Sequence, residues 1–192
     1  MKGHVDLIRY ADDAVLLFQS ESDARRVLSA LPKRFGKYGL TLHPEKTRLV
    51  RFLPTDREGT RKAPKNFDFL GFRHFWAKSR RGRPVVKRKT APNRLGRSLR
   101  RIRAWCRKHL HDKVPVQHAR LSQMLHGHYC YFGITGNSRS LDRFRWEVAR
   151  IWQQWLNRRS QRRSMPWPRF NALLQRYPLP PVRVVHSVYA RA

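Results

Sequence analysis

Acidic residues are scarce: 12 Asp+Glu stand against 43 Lys+Arg in 192 residues, a net charge of +31. An excess of that size repels itself in a compact fold and is normally neutralised by a polyanion, which makes nucleic acid the first partner class to consider. Cysteine is nearly absent. Cys106 and Cys130 lie far apart with no Cys-x-x-Cys spacing, so neither a disulfide framework nor a zinc finger is supported, and the expectation is two reduced thiols in a cytoplasmic protein. No apolar run approaches the length of a membrane span, and the opening Met1–Asp6 lacks the charged-then-apolar layout of a secretory signal. Repeats of fixed period are missing too, and the basic stretch Lys78–Lys89 is the one low-complexity segment. What is present is a chain 40% hydrophobic and 11% aromatic, rich enough to bury a core and therefore not a disordered tail. Its length suits one ordinary domain or two small ones. Of the basic residues 32 are arginine, the side chain suited to bidentate phosphate contacts and to stacking on bases.

The charge is divided unevenly. Residues 1–72 hold 14 Lys+Arg and nine acids, whereas residues 73–192 hold 29 and three, the acids there being Asp112, Asp142 and Glu147. Two functional units are implied. In the first, Val5–Tyr10 and Ala14–Phe18 are β-type runs separated by Ala11-Asp12-Asp13, a tight hairpin with two carboxylates at its tip. Ser20–Asp23 then supplies helix-start chemistry, and Ala24, Val27, Leu28, Leu31, Phe35 and Tyr38 fall on one helical stripe closed by Gly39. Pro32 inside that stripe predicts a kink or an early end. Thr47–Leu53 and Phe67–Trp76 read as further strands around a polar loop containing Pro54, Gly59 and Pro64.

The second unit reads as helices. Leu95, Leu99, Ile102, Cys106 and Leu110 recur at helical spacing with Arg97, Arg100, Arg101, Arg103, Arg107 and Lys108 on the remaining faces. A second helix is predicted through Leu121, Met124, Leu125, His128, Tyr131 and Phe132, ending at Gly133 or Gly136. A third runs through Leu141, Phe144, Val148, Ile151, Trp152 and Trp155, with Arg143, Arg145, Arg150, Arg158 and Arg159 on its exposed side. A last short turn surrounds Phe170, Leu173 and Leu174 before Pro178, Pro180 and Pro181 end regular structure. The fold class expected is therefore α+β, strands with one helix over residues 1–76, a basic linker over 77–92, and an all-α region over 93–192.

Tyr10-Ala11-Asp12-Asp13 between two strands is the most specific feature. An Asp-Asp pair often does no more than shape a turn. Two acids at a hairpin tip can also hold a divalent metal beside a nucleic-acid 3′ end, because phosphoryl transfer depends on metal charge at the attacking and leaving oxygens. The wider context favours the second role. The order strand, Tyr-Ala-Asp-Asp, strand, helix, then Gly39–Thr47 with its Pro44-Glu45-Lys46-Thr47, then Phe69-Leu70-Gly71-Phe72 resembles the end of a reverse-transcriptase palm, especially in the enzymes encoded by bacterial group II introns. Further on, Leu125–Gly133, Leu141-Asp142-Arg143-Phe144, Trp152 and Trp155 ahead of an arginine-rich stretch, and Tyr177–Pro181 resemble the maturase-specific thumb of those proteins.

The resemblance implies Mg²⁺ at Asp12 and Asp13 as catalytic acids, Tyr10 and Lys46 near an incoming nucleotide, and Phe69, Leu70, Gly71 and Phe72 as a primer grip. It implies a partial palm over residues 1–76 and a maturase-specific thumb over 93–192. RNA, group II intron RNA in particular, or an RNA/DNA hybrid would be held by Arg80, Arg81, Arg83, Lys87, Arg88 and Lys89 and by Arg97, Arg100, Arg101, Arg103 and Arg107. One departure qualifies this. The chain opens a few residues before the hairpin, and in this family another metal-binding aspartate and the fingers come earlier; neither Asp6 nor Asp23 stands where it could replace that acid. The expectation is an RNA-binding fragment whose polymerase activity is lost, unless a separate polypeptide supplies the fingers and early palm. A generic basic RNA-binding scaffold and a decayed gene remnant are the rivals. His118, His126, His128 and Cys130 suit packing and RNA contact better than a metal cluster, since His126 and His128 point apart on a helix. Trp105, Trp152 and Trp155 suit core packing, while Trp76 and Trp167 are less constrained.

Overall fold

The computed structural model describes residues 3–54, 66–161 and 164–187. Its elements in order are β1 (Val5–Tyr10), β2 (Asp13–Phe18), α1 (Glu21–Gly36), β3 (Phe67–Phe69), β4 (Phe72–Lys78), β5 (Pro84–Thr90), α2 (Pro92–Lys108), α3 (Val114–Phe132), α4 (Ser138–Asn157) and α5 (Trp167–Arg176). The class is α+β as expected, with a two-stranded hairpin, a three-stranded sheet of order β3-β4-β5 and five helices among the described residues. The chain forms two compact units, residues 1–70 with 74–87, and residues 71–73 with 88–192. Among the described residues no helix is long and apolar enough to cross a membrane.

In the first unit β1 and β2 pair antiparallel, with Val5 opposite Phe18, Leu7 opposite Leu16 and Tyr10 opposite Asp13. Helix α1 follows at once and packs on β2. It opens with Glu21 and Asp23 and closes with Lys33 and Arg34, a charge order that complements the helix dipole. Pro32 does not end α1, which continues to Gly36; the proline sits in the last turns, where few downstream bonds depend on it. Thr47–Leu53 forms no strand. Its place is irregular chain in which Phe52 meets Phe67 edge-on at 5.0 Å and lies 5.5 Å from Trp76, so side-chain packing holds it without a ladder.

The expected strand Phe67–Trp76 is instead a hairpin. β3 and β4 are joined by Leu70 and Gly71, with φ of 48° and 78°. Positive φ at both loop residues is the geometry that matches the twist of a two-residue hairpin, and glycine meets it without strain. The basic stretch after it is also ordered as strand, with β5 beginning at Pro84.

The second unit carries the core. Ile102 and Cys106 of α2, Leu121, Leu125, Tyr129 and Phe132 of α3, and Leu141, Phe144, Val148, Ile151, Trp152 and Leu156 of α4 are buried together with Phe170 and Leu179. Two of the polar side chains enclosed there, Trp152 and Asn137, are paired. Trp152 Nε1 donates to Gln117 Oε1 at 2.8 Å, and the Asn137 side chain accepts from Thr90 N at 2.9 Å while donating to Phe132 O at 2.8 Å. Gly133 ends α3 where the backbone of residues 183–186 comes against it, Val185 N donating to Gly133 O at 2.7 Å. A Cβ at this position would lie 2.7 Å from Arg183 O, so only glycine fits.

Candidate nucleic-acid interface

Because the β1–β2 register places Tyr10 opposite Asp13, Ala11 and Asp12 form a two-residue turn. Ala11 has φ of 52°, a left-handed conformation that costs an alanine about 1–2 kcal/mol. Arg9 Nε donates to Ala11 O at 2.9 Å and braces the turn. The result holds Asp12 at the tip and Asp13 at the start of β2, both exposed, and neither carboxylate has a hydrogen bond or ion pair among the described residues. Two adjacent free carboxylates are the kind of hard oxygen donor that Mg²⁺ accepts, one or two carboxylates with water and substrate phosphate completing its shell.

Other acids stand apart from them. Asp6 shares Asp13's face of the hairpin but pairs with Leu17 at the far end, on the order of 13 Å along the strand, and its carboxylate meets the His4 ring at 3.1 Å. Asp23 is buried at the start of α1 and accepts from Gly3 N at 3.2 Å. Among the described residues no group of three or more His, Cys, Asp or Glu could hold a metal. Tyr10 is exposed beside the pair. Lys46 lies exposed in the turn Pro44–Lys46 and shares no hydrogen bond or ion pair with Tyr10, Asp12 or Asp13.

Phe69, Leu70, Gly71 and Phe72 do not run as one strand: Phe69 ends β3, Leu70 and Gly71 turn, and Phe72 starts β4. Phe72 belongs to the second unit, where it stacks on Tyr131 of α3 at 6.0 Å and meets Phe132 edge-on at 5.3 Å. Ala91 N donates to Gly71 O at 2.9 Å, so the turn is tied to the start of α2.

The basic residues fall into two sets. Arg80, Arg81 and Arg83 are exposed at the β4–β5 turn, which is closed by Ser79 N donating to Arg83 O at 2.8 Å. Lys87 and Lys89 are exposed along β5, with Arg88 half-buried. On α2, burial of Ile102 and Cys106 fixes the helix rotation and turns Arg97, Arg100, Arg101, Arg103 and Arg107 to solvent. None of these five has an ion pair among the described residues. Burial pushes the Cys106 thiol up to about 12, so this cysteine is an inert core group.

The arginines of α4 and of the chain just after it divide differently from the sequence expectation. Arg145 donates to Pro180 O at 3.0 Å and to Leu179 O at 3.1 Å, and Arg159 donates to the backbone oxygens of Leu110 and Asp112. These two hold chain segments in place. Arg139 and Arg143 stay exposed, and so does Trp146, a side chain that helical periodicity left unremarked because it stands off the apolar stripe. Of the histidines, His118 shares a hydrogen bond with Pro178 O at 2.9 Å and His128 is buried against Phe132 and Phe144, while His126 is exposed, as is Cys130.

No curated protein matches the chain. Residues 2–74 match the family described as reverse transcriptase (RNA-dependent DNA polymerase). That span takes in the hairpin, α1 and the β3–β4 turn.

Proposed function

We propose that the chain binds structured RNA through its helical unit, as the maturase-specific thumb of a group II intron reverse transcriptase does, and that by itself it does not extend primers. The single observation that carries the reading is the α2 surface: five arginines turned outward by a buried stripe, none paired with an acid, in a region with 29 basic and three acidic residues. Phosphate is the counter-charge such a surface fits, and shape together with unpaired bases would direct it to intron RNA. The carboxylate tip supports a place for Asp12 and Asp13 beside a 3′ end, with Phe69 to Phe72 as the primer-contacting turn and Lys46 near the nucleotide. Mg²⁺ held by Asp12 and Asp13 would supply positive charge at the transferred phosphoryl group. Phosphoryl transfer relies almost wholly on positioning and metal electrostatics, and the nearby described acids Asp6 and Asp23 stand apart from the pair, one at the far end of the hairpin and one buried at the start of α1.

Filter binding across a salt series tests the first claim, using group II intron RNA and a length-matched duplex. Arg100, Arg101, Arg103 and Arg107 changed together to Ala should weaken binding, each lost phosphate contact flattening the log–log salt slope by about 0.7–0.9. Unchanged affinity and slope would remove α2 as the phosphate surface, and equal binding of both RNAs at moderate salt would leave a generic basic scaffold. Primer extension with Mg²⁺ tests the second claim. Extension that vanishes in an Asp12→Ala, Asp13→Ala variant would overturn it.

A further inference from the structure

Arg139, Arg143, Trp146 and Arg150 follow one another along α4 at spacings of four, three and four residues, the steps that keep side chains on one face of a helix. The row is about 16 Å long. It is not part of the core, whose α4 members are Leu141, Phe144, Val148, Ile151, Trp152 and Leu156. Trp146 is 52% exposed, whereas Trp152 six residues later is 1% exposed. The indole is nevertheless held: the Arg150 guanidinium lies 5.0 Å from its ring centroid, and Arg150 Nε is 3.6 Å from Glu147 Oε2. The cation takes up one side of the ring and fixes its attitude, while half of the residue's surface remains in water.

From this arrangement we infer that α4 carries a binding site for single-stranded RNA, in which Trp146 stacks on one unpaired base and Arg139 and Arg143 hold the phosphates beside it. The inference rests on the RNA-binding reading above and adds to it a second surface and a preference for unpaired strand. A flat indole offered to solvent within a row of cations fits a nucleobase flanked by phosphates, since every base has a stacking face and the backbone supplies the counter-charge. Arg150 already faces Glu147 and Asp142 is the exposed acid beside the row, so the cations offered to a partner are Arg139 and Arg143, seven and three residues to the N-terminal side of the indole, a spacing that suits phosphates flanking a stacked base. Arg145 and Arg159 take no part, because their guanidinium groups already hold backbone carbonyls.

Fluorescence anisotropy with a short unstructured RNA and a length-matched RNA duplex tests the site on the full chain. Trp146→Leu should weaken the single strand about tenfold, as loss of one stacked base does, leave its salt slope unchanged and shift duplex binding less than twofold. Trp146→Phe should restore most of the loss, since phenylalanine also stacks. Arg139→Ala with Arg143→Ala should weaken both RNAs and flatten the single-strand slope by about 1.4. Single-strand binding by Trp146→Leu equal to wild type, or equal losses on both RNAs, would overturn the stacking site while leaving the α2 surface standing. A wild-type chain that binds neither RNA would overturn this site and the function on which it rests.

Discussion

Along the hairpin every residue from Asp6 to Ala14 is exposed, while α4, of similarly mixed composition, buries six large apolar side chains. The difference lies in what each apolar face meets. Leu7 and Ile8 point to opposite faces of β1 and are 61% and 51% exposed, so neither face of this two-stranded ribbon is covered at that position, and such a ribbon is marginal on its own in water. The α4 stripe, by contrast, packs on α2 and α3 and closes a continuous core. In the first unit the buried residues among those described are Asp23 and Ala24. Among the described residues burial is therefore concentrated in the helical unit, and the carboxylate tip stands in the sparsely buried part, the kind of segment from which reactive and ligand-binding sites are commonly drawn.

The sharpest way to break that comparison is to cut into both faces. Trp152 is 1% exposed, meets Phe170 edge-on at 5.7 Å and donates to Gln117. Trp152→Ala should cost about 3–5 kcal/mol, through lost transfer energy, an unfilled cavity and an orphaned Gln117 oxygen. Ile8→Ala on the hairpin should change stability by less than about 0.5 kcal/mol. Urea denaturation followed by helical circular dichroism measures both. Comparable shifts would mean that the hairpin is as deeply built into the fold as α4.

Acid should act on the helical unit in the same selective way. His128 stacks on Phe144 at a centroid distance of 3.7 Å, and its Nε2 has no hydrogen-bond partner among the described residues. Burial lowers its pKa from 6.5 to about 4. The unfolded chain then binds a proton near pH 6.5 that the folded chain refuses until about pH 4, so the stabilisation is complete above 6.5 and is lost as pH falls through that window. The loss amounts to about 3 kcal/mol. His128→Leu keeps an apolar body at the site and removes the proton, so the stability gap between wild type and variant should shift by that amount from pH 7 to pH 4. Parallel profiles would show that His128 reaches a proton acceptor or water in the folded state.

What could be read from the residues follows the same division. The helices α2 and α4 were legible because a core on one side forces apolar residues into recurring spacings, Leu95, Leu99, Ile102 and Cys106 in one case and Leu141, Phe144, Val148 and Ile151 in the other. The β3–β4 turn was not, because Phe69-Leu70-Gly71-Phe72 is apolar throughout and only Gly71 signals a reversal; Leu70 takes positive φ at a cost that tertiary packing must offset. The β5 strand was hidden by its own charge, since Lys87, Arg88 and Lys89 look like linker until a neighbouring strand pairs with them. Thr47–Leu53 has strand composition but finds no partner strand. Of the site, the carboxylate tip and the α2 arginines stood in the sequence by pattern. The separation of Arg145 and Arg159, which hold carbonyls, from Arg139 and Arg143, which do not, depends on where the chain returns at Leu110, Asp112, Leu179 and Pro180.

The smallest effect sharpens the comparison most finely, because it acts on the tip alone. Ala11 sits at positive φ in a two-residue turn, where glycine is the favoured residue. Ala11→Gly relieves about 1–2 kcal/mol of left-handed strain and gives back about 0.4–1 kcal/mol through the greater freedom of the unfolded chain, leaving a local gain of roughly 0.5–1 kcal/mol. If the hairpin opens independently of the helices, that gain should appear as slower amide hydrogen exchange in β1 and β2, with the urea midpoint of the helical unit unmoved. A midpoint that rises with the hairpin's protection would show the two units unfolding as one. Protection that stays the same would show that the turn holds no strain, and the exposed placement of Asp12 would then owe nothing to the conformation of Ala11.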